Sequence, residues 1–321
     1  MRINVKINKR SIKYLRKGLP FAISIVLILI LIEYAPWGKI GETLDNLHWQ
    51  TIVMLVVLSF LYYGLKILRF WYLLKAIKLR RPFPIVALSY ISAQPVSLLP
   101  AGEVYRSKAL NRYAGVPIKD SISQFSLQGV LEGSAMALLM LVSSLAEGSL
   151  RVVAIIVALF MAAIIILIRR GYLFQIGKGL NHLPFLNITN QDLKNFSQSN
   201  SEVLTRRWLP KLFGISLITE IVGSAIAYVS VVGIGGHINI FQAALFYIIP
   251  VIVGFISFLP GGFGLSEQSA VGVLYLSHVS LAKAVAATLL MRVTIVLLGV
   301  LYGLAALLYG QFLLRSRRLK A

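Results

Sequence analysis

The chain has 321 residues, of which 58% are hydrophobic, with a mean hydropathy of +0.80 and no cysteine. Soluble chains average roughly 45–50% apolar residues. The composition therefore describes a polytopic membrane protein, leaves no polar region long enough for a separate catalytic domain, and excludes disulfide and thiolate chemistry. The formal charge is +21, from 32 Lys and Arg against 11 Asp and Glu, but the cations cluster beside apolar runs, which is the pattern of cytoplasmic loops drawn to anionic inner-leaflet lipid and not that of nucleic-acid binding.

Arg2, Lys6, Lys9, Arg10, Lys13, Arg16 and Lys17 make residues 1–18 a basic cytoplasmic arm. A first span follows at 19–35, and with no small-residue cleavage site after it, it reads as uncleaved. The stretch to Trp49 holds Glu33, Lys39, Glu42 and Asp45 and reads as an outside loop, with Trp37 and Trp49 at the interface. The second span, 50–74, returns to Lys75, Lys78, Arg80 and Arg81 on the inside, and Lys66 and Arg69 lie near that end, where long cations can snorkel. Segment 83–115 is basic on both flanks, so a re-entrant hairpin that goes back to the cytoplasm suits it better than a full span. Spans at 121–146 and 150–168 come next, then a polar, partly amphipathic cytoplasmic segment at 171–208. Asn187-Ile188-Thr189 within it fits a glycosylation sequon but faces the cytosol. A span at 209–233 leads to an uncharged outer loop around Gly235, and 240–277 holds no cation and reads as a second re-entrant hairpin, entering from outside. The last span, 281–310, ends in Arg315, Arg317, Arg318 and Lys320, inside. The expected fold is an all-α polytopic membrane domain over 1–321, with about six full spans, two oppositely oriented hairpins and both termini in the cytoplasm.

The two hairpins share a motif. Leu99-Pro100-Ala101-Gly102-Glu103 and Leu259-Pro260-Gly261-Gly262-Phe263-Gly264 each follow an apolar run, and Glu103 and Glu267 lie just downstream. Pro removes a backbone donor and Gly admits unusual dihedrals, so Pro100, Gly102, Pro260, Gly261, Gly262 and Gly264 break the helices at the hairpin tips. Broken helices in corresponding halves point to a transport site. The half-helices beginning near Gly102 and Gly264 turn positive dipole ends inward, which favours an anion. Glu103 and Glu267 either complement those dipoles or meet a headgroup or a proton.

Glu132 and Glu220 lie mid-span, where an unpaired carboxylate is expensive. They form structural ion pairs or line a polar cavity, and Arg106, Arg151 and Arg292 are the candidate partners. Arg292 lies too deep to snorkel, so it contacts a substrate phosphate or an intramembrane acid such as Glu220 or Glu132; its planar fork matches phosphate oxygens. Arg106, beside the first hairpin, is the second candidate phosphate ligand. Gly299 and Gly303 form a GxxxG that serves close packing within the chain or dimerisation. His48, His182, His237 and His278 are scattered and make no metal motif, so neither a metal nor another cofactor is expected.

Several of these segments also carry a resemblance. Leu65-Lys66-Ile67-Leu68-Arg69-Phe70-Trp71, the Pro100…Gly102-Glu103…Arg106 segment, Pro260-Gly261-Gly262-Phe263-Gly264-Leu265-Ser266-Glu267, and Arg292 followed by Gly299 together resemble the flippase-like integral membrane proteins related to the transmembrane domain of lysylphosphatidylglycerol synthases. Ser266 stands where many relatives have Arg, and Gly133 follows Glu132 where many have Arg. The soluble aminoacyl-transferase domain of the full synthases has no counterpart here, so the resemblance implies lipid translocation without lipid synthesis. The expected protein is a non-enzymatic translocase of a phosphate-bearing lipid headgroup. Arg106 and Arg292 would meet the phosphate, Glu103 and Glu267 a cationic headgroup group or a proton, and Glu132 and Glu220 would line the path. A homodimer or a lipid-modifying enzyme is a further partner to consider. The rival readings are a secondary transporter of a small solute or ion, which the inverted hairpins fit equally, and a membrane enzyme acting on lipid phosphates, for which a His nucleophile and an acidic metal motif are missing.

Overall fold

The structure, a computed structural model, describes residues 36–45, 47–97, 102–148, 150–169, 207–257 and 259–318, and singly 33, 203 and 205. The basic arm, the first expected span at 19–35, most of the polar segment and Pro100 lie outside these residues. In chain order the helices are α1 (Trp37–Asp45), α2 (Trp49–Ala76), α3 (Phe83–Ser92), α4 (Gln94–Ser97), α5 (Gly102–Ala114), α6 (Ile118–Glu147), α7 (Arg151–Arg169), α8 (Leu209–Val232), α9 (Ile240–Ile256), α10 (Leu265–Leu276), α11 (Leu281–Arg292) and α12 (Leu298–Arg318). A π-helical turn at Val293–Leu297 joins the last two. No strand occurs among the described residues.

Among the described residues, four helices are long and apolar enough to cross a membrane: Trp49–Ala76, Asp120–Glu147, Leu209–Val232 and Leu281–Phe312. They coincide with four of the expected spans. The expected span at 150–168 is also helical, though its apolar part, Arg151–Leu167, is shorter. The sequence reading treats the stretch before Trp49 as loop, but it contains α1, a nine-residue helix that buries Ile40. So short a helix is held by packing more than by its own propensity, so no sequence signal announces it.

The helix ends gather at two poles. At one, the cation-rich end of α2 meets the start of α8, where Lys211 lies 3.7 Å from the Tyr72 ring centre. At that pole the Arg81 guanidinium also donates to the carbonyl of Gly115, just past α5, at 3.3 Å, and Phe83, opening α3, packs edge-on against Trp71. At the opposite pole Lys283 of α11 donates to the carbonyl of Gly235 at 2.6 Å. There the Asn239 side chain, capping α9, donates to Glu147 at the end of α6 at 2.7 Å.

Two helical hairpins open to opposite poles. Residues 83–97 leave the cation-rich pole, and residues 102–115 come back to it. Residues 240–276 leave the Gly235 pole and come back to it, since a four-residue loop carries α10 into α11 beside Gly235. The tip of the second hairpin is the Pro260–Gly262 3-10 turn, with positive φ at Gly261, Gly262 and Gly264, a conformation that only glycine adopts without strain. Below the tip its arms touch: a Cβ at Gly262 would lie 2.8 Å from the Gly254 Cα, and Ser266 Oγ donates to the Pro250 carbonyl at 2.8 Å. Gly299 and Gly303 are also filled from inside. A Cβ at Gly299 would strike the Tyr63 hydroxyl, and one at Gly303 would lie 2.8 Å from the Ile91 carbonyl oxygen, so this GxxxG packs α12 against α2 and α3 of its own chain.

The apolar interior falls into two clusters. One joins the second hairpin to α8 and α11 through Ile226, Phe246, Leu274 and Ala284. The other joins the first hairpin to α6 through Tyr90, Leu110, Phe125 and Leu127. Helix α2 passes from one to the other between Tyr63 and Ile67, and Lys66 sits at the junction. Outward, α2 and α7 expose Val53, Val57, Phe60, Ile156, Leu159 and Phe160, an apolar belt far beyond what a water-facing surface carries.

Gly262→Ala is expected to lower stability by about 2–4 kcal/mol, from the positive φ and the collision between the hairpin arms. Gly129→Ala, at a helical position with open space around it, should cost nothing. Thermal unfolding of both variants in detergent measures the difference.

Candidate functional site

Side chains of α2 begin the site. Ser59, Tyr62, Tyr63, Lys66 and Arg69 recur at three- and four-residue spacing, so they share one helix face. Arg69 is completely buried. Its Nη1 donates to Ser216 Oγ on α8 at 2.8 Å, and its Nη2 donates to Glu132 Oε1 on α6. Lys66 Nζ lies 3.3 Å from the same oxygen, and Gln128 Nε2 donates to it at 3.1 Å and to the Tyr90 hydroxyl at 2.7 Å. Glu132 is thus the hub that ties α2 to α6. The expectation that Lys66 and Arg69 snorkel is corrected for Arg69: two polar partners deep in the bundle, Glu132 and Ser216, outweigh solvation at the helix end. The direct ion-pair partners of Glu132 are thus Lys66 and Arg69 rather than Arg151 or Arg292, and Arg106 is among the other cations around it. Arg151 is exposed and donates to the Leu145 carbonyl at 3.4 Å.

Glu220, one helix away on α8, is also fully buried. Its Oε2 accepts from the Tyr247 hydroxyl at 2.9 Å, and Tyr247 in turn lies 3.2 Å from the Tyr62 hydroxyl. Among the described residues Glu220 forms no ion pair, and its Oε1 has no hydrogen-bond partner. Gly223, nearly a turn further along α8, makes room for the Tyr247 ring, which any Cβ there would strike.

The second hairpin delivers the third group. Glu267, in the first turn of α10, accepts from the Gly264 backbone N–H through Oε2 at 2.6 Å and caps the helix. Its Oε1 lies 2.7 Å from Nε of Arg292. Arg292 therefore does have an intramembrane acid beside it, and that acid is Glu267 rather than Glu220 or Glu132. The Arg292 side chain keeps 24% of its surface exposed and stands 5.9 Å over Phe263 of the hairpin tip. It is the twelfth residue of α11, so it lies about 16 Å from the helix start, half the thickness of a ~30 Å hydrocarbon core. The π-turn that follows turns the carbonyls of Thr294 and Ile295 toward α2, where the hydroxyls of Ser59 and Tyr63 donate to them.

On the first hairpin, Arg106 Nη2 donates to Gln94 Oε1 at 3.3 Å, and its guanidinium carbon stands 5.4 Å from the Tyr90 ring centre and 5.7 Å from that of Phe125. Gly102 opens α5 and is buried. The side chain of Glu103 lies outside the described residues. A cavity of about 60 Å³ lies between Tyr62, Tyr247, Pro250, Met291, Arg292 and Ile295. It joins the Arg292–Glu267 pair to the tyrosines that lead to Glu220. A larger cavity of about 820 Å³ opens at the Gly235 pole, lined by His48, Thr51, Met54, Tyr228 and Lys283 among others.

With its buried charges and its long apolar helices, this is the interior of a multi-pass membrane protein. Residues 19–303 match the family described as the lysylphosphatidylglycerol synthase TM region, and the chain belongs to that family. No curated protein matches it.

The structure brings Glu267 and Arg292 together and holds Glu132 and Glu220 in neighbouring parts of one polar layer. Tyr62, Gln128, Ser216 and Tyr247, which belong to the same layer, escape the motifs, and Lys66 and Arg69 stand in one of them without being expected in the site. The three- and four-residue polar stripe on α2 is the signal that marks Lys66 and Arg69 as inward-facing. For Tyr247 and Ser216, isolated in apolar helices, no comparable pattern exists.

Arg69→Met should destabilise the protein by about 3–5 kcal/mol, because it leaves a carboxylate in an apolar interior without its main partner. Adding Glu132→Gln should recover most of that loss. A double-mutant cycle on unfolding free energies in detergent measures the recovery.

Proposed function

We propose that the protein is a lipid translocase, moving a phosphate-bearing headgroup, aminoacylated and glycosylated ones included, across the bilayer between two re-entrant hairpins while the tails stay in lipid. One observation carries the reading: a guanidinium, Arg292, twelve residues into a helix of membrane-spanning length, is held by a hairpin tip beside a cavity and with part of its surface free. Arg292 offers a planar, permanently charged fork for phosphate, and Glu267 holds it in place until the phosphate arrives. Arg106, beside the rings of Tyr90 on the first hairpin and Phe125 on α6, is the second phosphate ligand. A phosphate arriving at Arg292 frees Glu267 to meet a cationic headgroup group.

A cavity of about 60 Å³ holds only a few waters, so a headgroup passes only when the hairpins part. The broad cavity at the Gly235 pole, with Lys283 on its wall, serves as the vestibule on that side. Membership of the family supports a lipid over a small solute. So does the side of the central cavity: its wall residue Val251 is 41% exposed, and nearby Phe255 and Ile256 on the same helix are more exposed still, so the cavity borders the bilayer. The cation-rich pole belongs in the cytoplasm by the charge rule.

That orientation has a direct test in a chain with no native cysteine. In intact cells, His237→Cys should react with an impermeant maleimide from outside, and Lys78→Cys only after the membrane is opened. Labelling of both from the same side would sink the inverted hairpins.

The function is tested in proteoliposomes containing phosphatidylglycerol with a fluorescent label on one acyl chain. Arg292→Leu should abolish movement of the lipid between leaflets. Glu267→Gln should slow it strongly while destabilising the protein less than Arg69→Met, because Arg292 loses its acid partner but keeps 24% of its side chain exposed. Variants that fold and move the lipid at the wild-type rate would return the pair to a structural role and favour a solute as substrate.

A further inference from the structure

Glu220 has an environment unlike that of the other buried acids. Glu132 touches two cations and Glu267 touches one, whereas Glu220 receives a single neutral hydroxyl, and its Oε1 has no partner among the described residues. A carboxylate in that position is costly in an apolar interior, and binding a proton removes the cost.

The groups facing it come from every helix packed on α8. Helix α2 presents Tyr62, Lys66 and Arg69, α6 presents Glu132, α9 presents Tyr247, and α11 holds Arg292 across the cavity. Lys66, Arg69 and Glu132 together carry one net positive charge. Ionised Glu220 would balance that charge through space, while burial without an ion pair opposes ionisation. These two effects pull in opposite directions, so a proton here is exchangeable.

A path for it exists. Tyr62 and Tyr247 line the cavity beside Arg292, and their hydroxyls lead in two hydrogen bonds, of 3.2 and 2.9 Å, to Glu220 Oε2.

We propose that Glu220 is a proton-binding site loaded from the central cavity through Tyr62 and Tyr247, and that a proton is the coupling ion of transport. Loading moves one proton along three oxygens. Tyr247 passes its hydroxyl proton to Glu220, takes one from Tyr62, and Tyr62 takes one from a protonated water in the cavity. One O–H bond breaks on each donor as one forms on each acceptor, and the electron count is unchanged. The coupling clause rests on the translocase reading. A phosphate anion at Arg292 adds negative charge to the cavity, and the proton on Glu220 offsets it, so anion and proton move together.

Two measurements separate the proton site from the coupling. The infrared spectrum of the purified full-length protein near neutral pH should contain the C=O stretch of a protonated, buried carboxyl. That band should vanish in Glu220→Gln, shift in Glu220→Asp and persist in Glu267→Gln. A wild-type spectrum without the band, or a band that survives Glu220→Gln, overturns the proton site; should the Gln variant fail to fold, the Asp shift decides. Tyr247→Phe should keep the band and slow its response to a pH jump.

In the phosphatidylglycerol proteoliposomes, a gradient of one pH unit supplies about tenfold per coupled proton. The wild-type distribution of labelled lipid between leaflets should shift with the gradient by up to that factor, and the Glu220→Gln distribution should not. Lipid movement that ignores the gradient in the wild type overturns the coupling and leaves the translocase reading standing. If the lipid does not move at all, the translocase reading fails with the coupling, and the infrared band still decides the proton site.

Discussion

The Arg69–Glu132 contact is the constraint on which the rest of the interior depends. A guanidinium with no solvent contact is stable in an apolar bundle only if its charge and its donors are met by protein. Glu132 meets the charge, Ser216 meets another donor, and the arrangement locks α2, α6 and α8 together at one level. Lys66 and Gln128 then have fixed places on the same carboxylate oxygen, and through Gln128 the first hairpin's Tyr90 is tied in as well. The polar layer exists because this one pair has to be satisfied inside.

Above and below this layer lie two apolar clusters, each enclosing one hairpin. That division matters for movement. Packed apolar interiors do not deform continuously; they shift as units. A structure made of two compact clusters that meet at a thin polar layer has its natural plane of separation there. The cavity beside Arg292 borders that layer, and the π-turn at Val293–Leu297 lies on the same level. Such turns leave carbonyls that neighbouring side chains must satisfy, and here Ser59 and Tyr63 do so. The backbone is therefore less regular beside Arg292 than in the helices on either side.

The ion pair between Arg292 and Glu267 differs from the Arg69–Glu132 pair in a way that separates structural from functional charge. Arg69 has no exposed surface and two polar partners, Glu132 and Ser216, whereas Arg292 has one acid partner and an exposed flank. The first arrangement resists exchange of partners, and the second invites it. Glu220 stands between them with neither a direct cation partner nor solvent, as the proposed proton site requires.

Much of this protein was legible in its amino acids alone. Apolar runs of about 20 residues can only be membrane helices, and clustered cations mark one pole, so four long spans and the two poles follow from length and charge. The Leu259-Pro260-Gly261-Gly262 break foretells the tip of the second hairpin, because glycine takes the positive φ at Gly261, Gly262 and Gly264 without strain; the matching break at Leu99-Pro100-Ala101 lies outside the described residues. Glu267, three residues past Gly264, is legible as a first-turn acid, and Arg292 is legible as too deep to snorkel. What sequence could not decide is which charge meets which. Glu132 lies 63 residues from Arg69, and Glu267 lies on a different helix from Arg292, so their pairing depends on how helices rotate and pack, which distance along the chain does not encode. The same holds for Tyr62, Tyr247 and Glu220: three polar groups on three apolar helices carry no shared pattern, and only tertiary packing, with Gly223 leaving space for the Tyr247 ring, makes them one hydrogen-bonded chain.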